Sequence, residues 1–256
     1  MTREGSLMDE KAVSEAIGFL LILGIVLTGI SLVTLYGYPA LVKEQSSTDV
    51  KKMERAMVVI QSDMKSLCYR NVPYKESTLH VSGGTLEVIS AGDHRGLITV
   101  SNGTWSQDYP LGALTYRSDR SAGVITLENG AVMIRQEGVE GSVMLTEPRW
   151  FYDGPTGTFV IHVMKISAYE RMTRSGMTTV RMRLNSSGAQ VMPVSQCEKV
   201  TVRYIGGSSG GCGVAWGNYL TNPSIGMKQG SSQDSYEITG VKKVVIKEFE
   251  IQILDI

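Results

Sequence analysis

The chain has 256 residues, with 25 basic and 25 acidic side chains, no net charge and 42% hydrophobic residues. That balance supplies no positive field to draw in a nucleic acid, so nucleic-acid partners are excluded. The three cysteines, Cys68, Cys197 and Cys212, form no C-x-x-C pair and have no histidine cluster beside them, which argues against zinc and leaves no cofactor motif.

The first element is an uncharged run from Ala16 to Val42, about 27 residues, which as a helix would be roughly 40 Å long. A bilayer core needs roughly 30 Å. The run is too long for the apolar part of a cleaved secretory signal, and Pro39-Ala40-Leu41 fits such a cleavage site poorly. A buried core helix would be shorter and carry a polar stripe. A membrane helix remains. Gly24, Thr28 and Ser31 recur four and three apart, placing small or weakly polar groups on one face where backbones can approach closely. Thr34 lies near the same edge, and Tyr36 and Tyr38 stand where aromatic rings favour the interface. Pro39 lacks an amide donor and is expected to bend or end the helix. Arg3 and Lys11 precede the run, while Lys43, Lys51, Lys52 and Arg55 follow it, so charge counting alone does not favour a cytoplasmic N terminus.

A second helical pattern follows. Val50, Met53, Met57, Ile60, Met64 and Leu67 recur at steps of three and four, with Lys51, Lys52, Glu54, Arg55, Gln61, Asp63 and Lys65 on the other faces. Ser47, Thr48 and Asp49 are expected caps, and Asn71-Val72-Pro73 is the expected stop. The seam is too short for a sustained coiled coil and is expected to pack on a β-sheet.

From Leu79 the period becomes two. Leu79–Val81 and Thr85–Val88 flank Ser82-Gly83-Gly84 and read as a hairpin. Further strands are expected at 97–100, 124–127, 131–135, 142–145, 158–165, 178–184, 198–204 and 241–254. Turn signals at Ser101-Asn102-Gly103, Glu128-Asn129-Gly130 and Asp153-Gly154-Pro155 separate some of them. In the last strand Phe249, Ile251 and Ile253 alternate with Glu248, Glu250 and Gln252, giving one apolar and one wetted face. The fold class is therefore α+β: a long N-terminal membrane or assembly helix, then an antiparallel, sandwich-like β-rich head.

Catalytic signals are weak. His80, His94 and His162 are widely spaced and expected at the surface or half-buried. Gly206-Gly207-Ser208-Ser209-Gly210 fits G-x-S-x-G, but Gly211, Cys212 and Gly213 follow it, where the nucleophile motif needs a helix. A tethered hydrolase would have to depend on Ser208. The expectation is no enzyme, no catalytic residue and no metal site. If the head lies outside the cell, Cys197 and Cys212 could close a loop of about 15 residues, and the alternative is ordinary thiols. Asn102-Gly103-Thr104 and Asn185-Ser186-Ser187 are N-glycosylation sequons, whereas Asn222-Pro223-Ser224 is excluded by its proline.

The stretch Lys11-Ala12-Val13-Ser14-Glu15-Ala16-Ile17-Gly18-Phe19-Leu20-Leu21 resembles the amino-terminal signature of archaeal type IV pilins and pilin-like proteins. That signature is a basic-small pair, then Val-Ser-(Pro or Glu)-x-(Ile or Leu)-Gly and a long apolar helix. The resemblance implies a class III signal peptide that a prepilin peptidase cuts behind Ala12, with Lys11, Ala12 and Val13 at the processing site. It divides the chain into a leader at 1–12, a helix at 13–71 spanning the membrane at about 16–42, and an extracellular head at 72–256. Glu15, Gly18, Gly24, Thr28 and Ser31 become the assembly positions, with Glu15 either paired to the new Val13 amine of a neighbouring subunit or capping the helix with Ser14. The implied partners are the membrane, the peptidase, and copies of this chain or other pilin subunits. The implied location is the archaeal membrane and cell surface, in filaments. The alternative is a single-pass surface protein whose head binds a partner without polymerising.

Overall fold

The computed structural model describes residues 4–70, 72–194, 199–207 and 211–256, with side chains from residue 15 onward. These residues form two compact units that divide between Ser47 and Thr48.

The first unit is helical. Helix α1 (Glu4–Leu32) passes through a five-residue π segment (Val33–Gly37) into α2 (Tyr38–Tyr69). Pro39 therefore does not stop the helix. The Tyr38 N–H reaches back to the Val33 carbonyl, and this wider turn makes Pro39 the second residue of α2. In a first helical turn the missing amide is tolerated and the ring has room. Ser47, Thr48 and Asp49 likewise lie inside α2 and begin nothing.

The second unit opens with the amphipathic part of α2. Met53, Met57, Ile60, Met64 and Leu67 are fully buried, and α2 ends at Tyr69, beside the expected stop. The strands are β1 (Tyr74–Ile89), β2 (Gly96–Ser101), β3 (Ser106–Leu111), β4 (Ala113–Ser118), β5 (Gly123–Glu128), β6 (Ala131–Gln136) and β7 (Ser142–Thr146). They continue with β8 (Phe151–Asp153), β9 (Thr158–Ala168), β10 (Met172–Pro193), β11 (Val200–Ile205), β12 (Lys228–Gln229), β13 (Ser235–Ile238) and β14 (Lys243–Asp255). Two short helices, α3 (Ala91–His94) and α4 (Gly213–Leu220), complete the unit. One sheet has nine strands in the order β7-β6-β5-β4-β1-β10-β14-β9-β8, and the other has five in the order β12-β13-β11-β2-β3. Every pairing is antiparallel except β14 with β9.

Strand alternation sends successive side chains to opposite faces of the large sheet. Ala131, Met133, Phe159, Ile161, Val244 and Ile246 face the small sheet and α4 in one core. Val132, Met164, Ile166, Ile251 and Ile253 face the methionine seam of α2 in a second core. The head is thus a two-sheet sandwich with the amphipathic helix on the outer face of the larger sheet. Methionine suits that seam because its flexible thioether fills the irregular gaps of a pleated surface.

Several polar positions of α2 bind the sheet instead of facing water. Gln61 is buried and donates to the Gly130 carbonyl at 2.5 Å, Lys65 donates to the Glu147 carbonyl at 3.1 Å, and Asp63 accepts from Ser77 at 2.7 Å. Gln252, expected on a wetted face, is buried and accepts from Arg183 at 2.8 Å.

The hairpin expected at Ser82-Gly83-Gly84 is absent, because those residues lie within the single strand β1. Val81 pairs with Gly176 and Leu86 with Arg174, so four residues of β1 face one of β10. The excursion, with Gly83 at φ +59°, lets Gly84 begin the pairing with β4 opposite Ser118. A bulge and a turn use the same glycine signal. What decides between them is a pair of partner strands distant in sequence.

Candidate functional site

Along the N-terminal helix every large apolar side chain from Ile17 to Leu41 is exposed, between 40% at Leu23 and 71% at Leu41. A contiguous apolar surface of that extent is foreign to a water-soluble monomer and requires an apolar surrounding. Among the described residues this is the one helix long and apolar enough to cross a membrane.

Gly24, Thr28 and Gly29 share a shallow groove on this helix, lined otherwise by leucine and isoleucine, which Gly18 and Ser31 do not enter. Gly29 adds a small residue that the four-and-three spacing had not marked. The hydroxyls are already used: Thr28 donates to the Gly24 carbonyl and Ser31 to the Leu27 carbonyl, each at 2.7 Å, and Thr34 donates to the Ile30 carbonyl at 2.9 Å. Such back-bonds hide a hydroxyl proton from hydrocarbon, and leave only acceptor lone pairs for a neighbouring helix.

Lys11, Ala12 and Val13 fall within α1, and their side chains lie outside those described. Because α1 begins at Glu4, neither Ser14 nor exposed Glu15 starts a helix in the uncut chain. A cut behind Ala12 would put both in the first turn, where a carboxylate meets unpaired amides.

The two sequons differ. Asn102 is 1% exposed, and its side-chain oxygen accepts from the Thr104 amide and hydroxyl and from the Trp105 amide, so it builds the β2–β3 turn. Asn185 is exposed on β10. Cys212 is a buried free thiol that burial pushes up to about 12, and Cys197 lies outside the described residues. Cys68 is also free and buried, and its thiol is raised to about 12 for the same reason. Among the described residues no group of three His, Cys, Asp or Glu side chains could hold a metal ion.

Two of the three histidines depart from expectation. His80 is exposed, but His94 is fully buried and His162 is 5% exposed. His94 Nε2 hydrogen-bonds Glu128 at 2.5 Å, and the second oxygen of Glu128 accepts from Tyr204 at 2.9 Å. Glu128 is itself 1% exposed, and burial drives the Tyr204 phenol well above its usual range. This network ties α3, β5 and β11 together inside the head.

Contrary to expectation, a helix does follow the glycine-serine stretch. β11 ends at Ile205 and α4 starts at Gly213, its Ala215 amide capped by Ser142 at 2.9 Å. Gly207 sits against the His94 ring, while Ser208 lies outside the described residues. Glycines at 213 and 217 had hidden α4, and the place of Glu128 at the head of the Glu128-Asn129-Gly130 turn gave no hint that it is buried.

A family profile matches residues 11–246, and its description is a family of unknown function, DUF7289. No curated protein and no solved structure matches the chain.

Proposed function

Given that the chain belongs to the DUF7289 family, whose function is unknown, we propose that it is a type IV pilin-like subunit of the archaeal cell surface. In this reading a peptidase removes residues 1–12, the helix first anchors the subunit, and the head stands outside the cell. Helices of many subunits then pack into a filament core.

The observation that carries the reading is a combination. The Lys11–Leu21 motif opens a wholly exposed apolar helix, and that helix runs on through Pro39 into the methionine seam of the head. A filament subunit uses such an apolar helix twice, first as anchor and then as packing surface. A cell-surface location also suits Asn185, the sequon with an exposed side chain.

A second reading, a single-pass surface protein that never polymerises, fits the hydroxyl back-bonds equally well, because they satisfy the hydroxyl protons of a lone helix in lipid. Gly24→Leu separates the two. The groove floor at Gly24 has nothing within 4 Å of an added Cβ, so the change leaves the isolated helix intact and obstructs only close approach by another. For a filament subunit, surface-filament yield is expected to fall about tenfold at unchanged membrane content, tenfold corresponding to about 1.4 kcal/mol of lost packing. Wild-type filaments should contain this chain stoichiometrically. Absence of the chain from purified filaments, or equal loss of insertion and assembly, contradicts the filament reading.

A further inference from the structure

The helix-packed face of the large sheet is only partly covered. α2 stops at Tyr69, and beyond it cross-strand rows of β10, β14 and β9 stay open. In register these rows bring together Ser187 with Phe249, Ala189 with Lys247 and His162, and Val245 with Val160. With Tyr69, Arg149 and Phe151 at the rim they form a cleft of about 730 Å³, within the range of small-molecule sites.

Among the described residues the lining is aromatic and aliphatic, with two cations and no Asp, Glu, Asn or Gln. Neutral sugars and other polyhydroxylated ligands are recognised by such planar polar side chains, and they are missing here. Arg149 lies over the Tyr69 ring at 4.7 Å from its centroid, and Lys247 is exposed. The described residues pair carboxylates with Lys75, Arg117, Lys165, Arg171, Arg181 and Lys199, but with neither Arg149 nor Lys247. The aromatic wall is ordered: Tyr69 meets His162 and Phe249 edge-on at 5.3 and 5.5 Å, and His162 lies parallel to Phe249 at 6.1 Å. His162 Nδ1 bonds the Arg149 carbonyl at 2.6 Å, which fixes the backbone of that cation. The Tyr69 hydroxyl is buried and has no hydrogen-bond partner among the described residues, a vacancy that buried polar groups seldom keep.

From this the geometry points to a binding site for a small amphipathic organic anion, one carboxylate-type head held by Arg149 and Lys247 and a flat apolar body lying on Phe249, Val245 and Val160. A concentrated negative head matches the two unpaired cations, and a body without hydroxyls matches the rest of the lining.

The test is calorimetric titration of the full-length protein in detergent with 2-naphthoate, with its neutral amide, and with acetate. Naphthoate is expected to bind saturably, at least about tenfold more tightly than either the amide or acetate, because the head and the body each contribute. Arg149→Gln and Lys247→Gln should each weaken naphthoate about tenfold and leave the amide unchanged. Both side chains are exposed, so folding should survive, and the two variants report independently. Equal affinity for acid and amide, unchanged naphthoate binding in both variants, or no saturable binding would each overturn the assignment.

Discussion

Gly112→Ala is expected to destabilise the head by about 3 kcal/mol or more. Gly112 is the single residue between β3, in the small sheet, and β4, in the large one. There the chain crosses from one layer of the sandwich to the other, directly against β9. A Cβ at this point would lie 2.1 Å from the Ile166 carbonyl oxygen and 2.9 Å from the Ala91 amide nitrogen. Both obstacles are backbone, so no side-chain rotation relieves the clash and a strand must move. For a unit of this size the loss corresponds to a fall in unfolding midpoint of roughly 6–12 °C. Gly92→Ala is the control, since nothing lies within 4 Å of its added Cβ, and its midpoint should stay near wild type. Equal midpoints for the two variants would show that the crossover is not packed as described.

The second large effect is expected at Glu128. Its carboxylate is the shared partner of His94 and Tyr204, and all three side chains are buried. Glu128→Ala leaves an imidazole nitrogen and a phenol without partners in a medium that cannot hydrate them, and adds a cavity. The cost is expected to be about 3–5 kcal/mol. Glu128→Gln keeps the shape, with an amide oxygen to accept from His94 and an amide N–H to donate to the Tyr204 hydroxyl oxygen, and should cost about 1 kcal/mol. Thermal unfolding of the full-length protein in detergent reads the difference. If the glutamine variant falls as far as the alanine variant, a charge rather than hydrogen-bond satisfaction holds the network together.

These two positions show where local sequence stops being informative. The long helix was legible because its apolar run and its three-and-four methionine seam are periodic over many residues. Strands such as β2, β5, β6 and β14 were legible as alternating segments or short apolar runs bounded by turn residues, and the Asn129-Gly130 turn has the positive φ angles that its residues favour. β3 was missed because Gln107, Asp108 and Pro110 look like a loop, yet an edge strand accepts polar residues and proline. β4 was missed because only Gly112 separates it from β3, so no cluster of turn residues marks where it begins. The polar anchors of α2, the Glu128 network and the cleft share one cause. Each joins residues far apart in the chain, as Lys247 and His162 are joined only by the parallel register of β14 and β9. Such encounters are properties of topology, and no window of sequence contains them.

The filament account depends on what becomes of the first residues. The most direct measurement is intact-mass and N-terminal peptide analysis of the protein isolated from its native membrane or surface filaments. The account expects a mature chain that begins at Val13 and still carries the whole apolar helix. A chain that begins at Met1, or one trimmed beyond Tyr38, would contradict it.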